Sequence, residues 1–232
     1  MNATLLNNKK ILITAGPTRE AIDPVRYISN HSSGKMGYAI AEQFLKQGAE
    51  VIMVSGPVHI LLQHPRLKIV RVNSASEMYL ACCHFFEEMD VAVFAAAVAD
   101  YRPARVAEQK IKKDEATFTI TMTKNVDIAY EFGKVKTVNQ VSVGFALETN
   151  DELAHAKGKL QKKNFDMVVL NSMSDANATF GYDTNKITVV KKDLLPKEFS
   201  VKQKSEVAKD IVKEISSLLI NQYEHKELVS FE

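Results

Sequence analysis

The sequence predicts an α/β fold: a Rossmann-like, doubly wound and mainly parallel sheet with helices on both faces and a long basic flap. Three observations carry this. Apolar runs of strand length recur along the chain, and most are continuous rather than alternating, as strands buried on both faces require. Helix-period segments fall between them, at intervals long enough for crossover connections. No internal repeat or low-complexity tract interrupts the alternation.

In chain order, the first strand is Lys10–Thr14 and the first helix Met36–Gln47, with Gly48 behind it as a left-handed stop. Strands follow at Val51–Ser55 and Lys68–Val72. A second helix spans Ser76–Glu88; Ser74 and Glu77, three apart, have the spacing of a capping box at its start. Next come a strand at Val91–Ala95, a helix at Val126–Phe132, a strand at Val141–Ala146, a helix at Asp151–Lys163 and a strand at Met167–Leu170. Lys186–Lys191 alternates and reads as an edge or hairpin strand. An amphipathic helix at about Lys202–Gln222 closes the fold, and His225–Glu232 reads as a frayed tail. Two stretches break the rhythm. Ala99–Ala116 is polar, basic and longer than an ordinary connection, and Ser172–Thr184 is turn-like. One domain over 1–232 is expected, with the flap at about 101–116 inside it.

A chain of 232 residues, 46% hydrophobic and 25% charged, has ample core for a globular domain. A net charge of +2 is too small for binding nucleic acid by bulk charge, so anion recognition must be local. The first ten residues have no apolar core of a signal peptide, and no run is long enough to span a membrane. A cytoplasmic protein with no nucleic-acid or membrane partner is expected. Cys82 and Cys83 are sequence neighbours, which argues against a disulfide framework and for a reducing cytosol, both residues facing or flanking a helix core. Without a secretory route, Asn2-Ala3-Thr4, Asn30-His31-Ser32 and Asn177-Ala178-Thr179 do not read as glycan sites.

The most informative segment runs from Thr14 to Gly37, between the first strand and the first helix. Ser32, Ser33, Gly34, Lys35, Met36 and Gly37 lie at a helix start, where hydroxyls and free N–H groups make an anion pocket. The segment is not a Walker A loop: Met36 stands where Ser or Thr is required and Ser29 where the first Gly belongs. Nor is it Gly-x-Gly-x-x-Gly. The plainer alternative is a capped helix start with no ligand. Asn30 has a neutral amide that can donate to an oxyanion and accept from an amine, which suits acyl transfer; an isolated loop Asn is also simply a turn residue. Arg26 can fork onto a carboxylate or phosphate, or hold a surface ion pair.

Further along, Phe94-Ala95-Ala96-Ala97-Val98-Ala99-Asp100 ends a strand with small residues that leave space and a carboxylate at its edge. Asp100 could hold Mg²⁺ or a ribose hydroxyl, or merely cap a turn. The flap carries Arg102, Arg105, Lys110, Lys112 and Lys113 against Glu108, a cationic lid for a polyphosphate or else a solvated loop. Lys159 and Lys163 share a helix face at i, i+4, behind the strand that holds Phe145; a nucleotide triphosphate or plain solvent would suit them. Each feature alone is weak. All follow successive strands, at the carboxyl edge of one sheet, where α/β folds bind ligands.

These residues resemble bacterial phosphopantothenate–cysteine ligase, over nearly the whole chain from Ile11 to about Lys191. The specific segments are Asp23 through Gly37, Ala95-Ala96-Ala97-Val98-Ala99-Asp100-Tyr101-Arg102-Pro103, and Lys110-Ile111-Lys112-Lys113. The resemblance implies that CTP, with Mg²⁺, activates the carboxylate of 4′-phosphopantothenate as an acyl-cytidylate. Pyrophosphate leaves, L-cysteine's amine attacks, and CMP departs. It implies Asn30 at the acyl-cytidylate step, Lys110 on the phosphates, and Arg26 near the acid's carboxylate, with the Ser32–Gly37 turn on the same substrate. It implies nucleotide contacts at Phe94, Ala95, Ala96, Asp100, Phe145, Lys159 and Lys163, and at the turn Thr123, Lys124, Asn125 and Val126. It also implies a homodimer. Relatives often carry Pro where Val126 stands, so the nucleotide turn gains a donor and some pliancy. Many relatives follow a flavin-containing decarboxylase half; this chain begins almost at the ligase strand, so ligase activity alone, without FMN, is expected. The same fold also hosts nicotinamide-dependent reductases, against which the missing Gly-x-Gly-x-x-Gly argues, and nucleotide-binding modules without catalysis.

Overall fold

The computed structural model describes residues 5–112, 117–148, 151–172 and 183–229. Its elements in chain order are β1 (Lys10–Ala15), β2 (Arg19–Ala21), β3 (Tyr27–Ser29), α1 (Lys35–Lys46), β4 (Glu50–Ser55), β5 (Leu67–Arg71), α2 (Ala75–Phe85), β6 (Val91–Phe94), β7 (Tyr101–Pro103) and β8 (Met122–Lys124). There follow α3 (Ile128–Val135), β9 (Val141–Glu148), α4 (Glu152–Lys162), β10 (Met167–Ser172), β11 (Thr184–Asn185), β12 (Ile187–Lys191), β13 (Lys197–Glu198), β14 (Lys202–Gln203) and α5 (Lys204–Val229).

Eight strands form the main sheet in the order β13-β12-β10-β9-β6-β1-β4-β5. The run from β10 to β5 is parallel throughout, and β12 and β13 add antiparallel strands at one side. Numbered among themselves in chain order, the parallel strands read 3-2-1-4-5-6 from β5 to β10, the Rossmann order. The order reverses between β1 and β6, and that switch point opens a crevice at the carboxyl ends.

Alternation along each strand feeds two apolar layers. Ile11 and Ile13 point to the side where α1 and α5 pack, into a cluster with Phe44, Ile211 and Ile215. Leu12 points the other way, to Met78 of α2, Phe132 of α3 and Leu160 of α4. All these side chains are at most 6% exposed, which is why β1 reads as an unbroken apolar run rather than an alternating one.

The helix starts follow local chemistry. Ser74 Oγ accepts from Glu77 N–H at 3.2 Å, so the cap forms, and Glu77 reaches back past Ser74 to accept from Asn73 N–H at 2.9 Å, one residue before the bond of a regular capping box. Asp127 caps α3 by accepting from Tyr130 N–H at 3.2 Å, which moves that helix start from the expected Val126 to Ile128.

The structure departs from expectation in two further places and decides one alternative. The stretch expected as a long loop from Ala99 opens with β7, which pairs with β8 into a two-stranded arm; Thr123 and Lys124 are strand residues rather than a turn. Of the edge and hairpin alternatives for Lys186–Lys191 the hairpin holds: β12 pairs antiparallel with the next strand, β13, which lies outside it. The tail expected to fray from His225 continues α5 to Val229. Nothing between Asn221 and Val229 is Gly or Pro, so a helix nucleated by its packed first turns propagates on. Lys113, most of the Ser172–Thr184 stretch and residues 230–232 lie outside the described residues.

Candidate active site

Beyond Phe94 the chain runs on beside the end of β1. Ala95 N–H donates to Thr14 O at 3.1 Å and Ala97 N–H to Gly16 O at 2.9 Å. Two small-residue segments thus lie side by side at the switch point, and with no bulky side chains they leave a hollow.

The hollow has two joined parts. A wide cleft of about 570 Å³, open to solvent, is lined by Asn30 through Gly37, Ala95–Val98, Asp100, Phe145, Lys159 and Lys204, among others. A narrower recess of about 170 Å³ is lined by Phe94, Asn125, Val126, Lys163 and Phe165, among others. Ala96, Val98, Asp100, Phe145 and Lys159 line both, so they form the shared wall.

Between β1 and α1 sits the β2–β3 hairpin, and Asn30 follows its second strand directly. Asn30 Nδ2 donates to Ala97 O at 3.1 Å and Val98 O at 3.2 Å. Two carbonyls can face only the NH₂ side of the amide, which fixes its orientation. Both donors are therefore spent, and Oδ1 is the atom that Asn30 offers. The group presents an acceptor suited to an amine, where sequence reading allowed a donor as well.

Gly34 precedes α1 with φ 77°, a left-handed conformation that glycine adopts without cost. Gly37 lies flat on β1: an added Cβ would stand 2.7 Å from Ala15 Cβ. The helix start is thereby held against the strand end, its first N–H groups at the cleft beside Ser32 and Ser33.

The cleft's charge is mostly cationic: Lys35, Lys159 and Lys204 against Asp100. Lys35 pairs with Asp183 at 2.5 Å. Lys204, the first residue of α5, has its proton affinity lowered by burial and then by Lys35, with Asp183 opposing. In the recess, Lys163 donates to Asp127 at 2.9 Å. Asp100 is an exposed carboxylate on the shared wall. No group of three or more His, Cys, Asp or Glu that could hold a metal occurs among the described residues.

Most residues singled out from sequence therefore meet in one place: Asn30, the Ser32–Gly37 turn, Phe94, Ala95, Ala96, Asp100, Asn125, Val126, Phe145, Lys159 and Lys163. Four do not line either part. Thr123 and Lys124 lie on the arm, and Lys110 is exposed on the strap that follows β7. Arg26 gives its guanidinium to Asp23 and to the Ile111 carbonyl. Sequence reading missed Asn171, Asn185 and Lys204. Asn185 is 3% exposed and donates to Asn171 Oδ1 at 3.3 Å, so the two amides form one polar patch of the wall. The signal for Asn171 was its place at the carboxyl end of a buried strand; Asn185 and Lys204 carry none. Of the cysteines, Cys82 is buried, its thiol pushed up to about 12 chiefly by burial, while Cys83 is exposed.

Residues 6–219 match the family model described as the DNA/pantothenate metabolism flavoprotein C-terminal domain. A Cysteine/Cysteine sulfinic acid decarboxylase from an unknown prokaryotic organism is 47% identical over 214 residues, covering 92% of this chain and 60% of its own. The Coenzyme A biosynthesis bifunctional protein CoaBC of Bacillus subtilis (strain 168) is 42% identical over 213 residues, covering 92% of this chain and 52% of its own. The chain thus spans little more than half the length of these curated relatives. The crystal structure of the C-terminal domain of Coenzyme A biosynthesis bifunctional protein CoaBC aligns with TM-score 0.80 at 41% identity, over 94% of this chain and 99% of the other.

Proposed function

We propose that this chain, which belongs to the DNA/pantothenate metabolism flavoprotein C-terminal domain family, is a phosphopantothenate–cysteine ligase of coenzyme A biosynthesis that uses CTP. One observation carries the reading: the acceptor amide of Asn30, the carboxylate of Asp100 and the ammonium of Lys159 line a single cleft at the switch point. The similarity to proteins named for coenzyme A biosynthesis supports it.

In this reading the nucleotide lies in the recess and against the shared wall, its phosphates toward Lys159 and Lys163. The acid 4′-phosphopantothenate lies along the α1 start. An oxygen of its carboxylate attacks the α-phosphorus and the bond to the β-phosphate oxygen breaks, releasing pyrophosphate and leaving an acyl-cytidylate. The amine of L-cysteine then attacks the acyl carbon; the amine proton is lost and CMP departs with the electron pair. Asn30 Oδ1 accepts from the amine and aims it. Positioning and charge stabilisation supply the rate, and no protein nucleophile is needed.

The donor set fits Mg²⁺ in a limited way. Mg²⁺ on a nucleotide takes one or two carboxylates plus phosphates and water, and Asp100 is a carboxylate facing the cleft. Bound there, the ion would neutralise phosphate charge. Lys110, outside the cleft in this conformation, is assigned in this reading to the phosphates, which it would reach from the strap that follows β7. A homodimer is part of the proposal; the exposed Val25, Tyr27, Tyr101 and Phe118 on hairpin and arm offer the apolar surface for it.

The test is pyrophosphate release from CTP, with 4′-phosphopantothenate, in the presence and absence of cysteine. Release that requires the acid, and product formation that requires cysteine, are expected. No release with CTP or any other nucleoside triphosphate refutes the proposal.

A further inference from the structure

Asp23 lines neither part of the cleft, yet five hydrogen bonds converge on it. Its side chain has no solvent exposure. Oδ1 accepts from the N–H groups of Val25 and Arg26, both at 2.8 Å. Oδ2 accepts from Arg26 Nε at 2.9 Å, Arg26 Nη2 at 2.5 Å and the N–H of Ile111 at 3.2 Å. The Arg26 guanidinium also donates to Ile111 O at 3.0 Å, so both main-chain groups of a residue 88 positions away are captured. Ala107 N–H donates to Ile22 O at 3.0 Å, a second tie between the same two segments.

The bonds from Val25 and Arg26 N–H suffice for an Asx-type turn at the hairpin tip. The bonds to Ile111 do nothing for that turn. They fasten the strap that follows β7 to the β2–β3 hairpin. Lys110 directly precedes the captured residue, and Asn30 directly follows the hairpin's second strand. The Arg26 guanidinium holds the Asp23 carboxyl well below the usual carboxylate range, so the tie stays charged at working pH.

We infer that Asp23 is a positioning residue: with Arg26 it anchors the Lys110 strap to the hairpin that carries Asn30, and so sets the reach of Lys110 toward the cleft. The inference rests on the ligase reading for its catalytic consequence. It rests on geometry alone for the anchoring.

The test is Asp23→Asn in the full chain. Asn is isosteric, and its Oδ1 keeps the two turn bonds. Its NH₂ then faces Arg26 Nε, Arg26 Nη2 and Ile111 N–H, so the strap loses its bond to Asp23 and the anchor of Arg26, and is left with the Ala107–Ile22 bond. Limited trypsin digestion reads the anchoring, because Arg105, Lys110 and Lys112 all lie on the strap. Cleavage there at least tenfold faster is expected, with kcat for pyrophosphate release down at least tenfold and KM for CTP within threefold. Ile111→Pro deletes one donor and leaves Asp23 and Arg26 intact; trypsin does not cut after Lys110 when proline follows, so cleavage after Arg105 and Lys112 is read, and faster cleavage there with lower kcat decides the matter should Asp23→Asn fail to fold. Unchanged cleavage, or faster cleavage with wild-type kcat, overturns the inference. Wild-type protein that releases no pyrophosphate sinks the ligase reading and the catalytic half of this one, while the cleavage rates still decide the anchoring.

Discussion

Asn30→Leu separates placement of the amide from the rest of the site. The wild-type side chain is held by two hydrogen bonds, to Ala97 O at 3.1 Å and Val98 O at 3.2 Å. Leucine keeps the volume, adds no charge, and removes both donors and the Oδ1 acceptor. Each bond is worth about 0.5–1.5 kcal/mol net, so anchoring falls by about 1–3 kcal/mol. At about 1.4 kcal/mol per factor of ten, that alone lowers turnover by roughly 5- to 150-fold if only the placed loop reacts. Loss of the acceptor falls wholly on the cysteine step. Single-turnover assays with CTP and the acid should therefore still release pyrophosphate, while product formation after cysteine addition slows by about 100-fold or more. Titration calorimetry should give a CTP Kd within threefold of wild type, since the recess around Phe94 and Lys163 is untouched. Product formation within threefold of wild type would refute the reasoning.

Three other outcomes are expected. Lys159→Ala, on the wall shared by cleft and recess, should weaken nucleotide binding by roughly 10- to 150-fold, the value of about 1.5–3 kcal/mol for a charged hydrogen bond, read by calorimetry with CTP. Gly37→Ala should lift α1 off β1, since the new Cβ meets Ala15 Cβ at 2.7 Å; about 1–3 kcal/mol is lost, lowering Tm by roughly 2–12 °C in calorimetry. Glu214 lies between Lys191 at 2.7 Å and Lys197 at 2.6 Å. Burial alone would raise its pKa, but the two lysines outweigh burial and the net direction is down. A carboxyl lowered on folding stabilises above its unfolded value and loses that contribution as pH falls through the folded one. Glu214→Gln should therefore cost up to about 3 kcal/mol at neutral pH and flatten the fall of Tm below about pH 5, measured by scanning calorimetry across pH.

The parallel sheet was legible because burial on both faces writes a plain signal: Ile11-Leu12-Ile13 and Val91-Ala92-Val93 leave little else to be. The hairpin of β2 and β3 and the arm of β7 and β8 were not, because three residues per strand show no period and their pairing is tertiary. Asn30 and the Ser32–Gly37 turn could be read as a ligand loop from their place between strand and helix. Nothing in sequence told that the Asn30 donors would be consumed by Ala97 and Val98, or that Arg26 would turn to Asp23 instead of the cleft. Lys204 was hidden for a different reason. It sits on a helix that returns to the cleft from the far end of the chain, and only the fold reveals such a return.

That return bears on how the protein is made. Val207, Ala208, Ile211, Val212, Ile215 and Leu219 of α5 seal the same apolar layer as Ile11 and Ile13, and the residue that opens α5 stands in the wall of the cleft. A nascent chain leaves the ribosome with strands that cannot yet shed water from that face. The cleft and the watertight interior are finished together, when α5 docks.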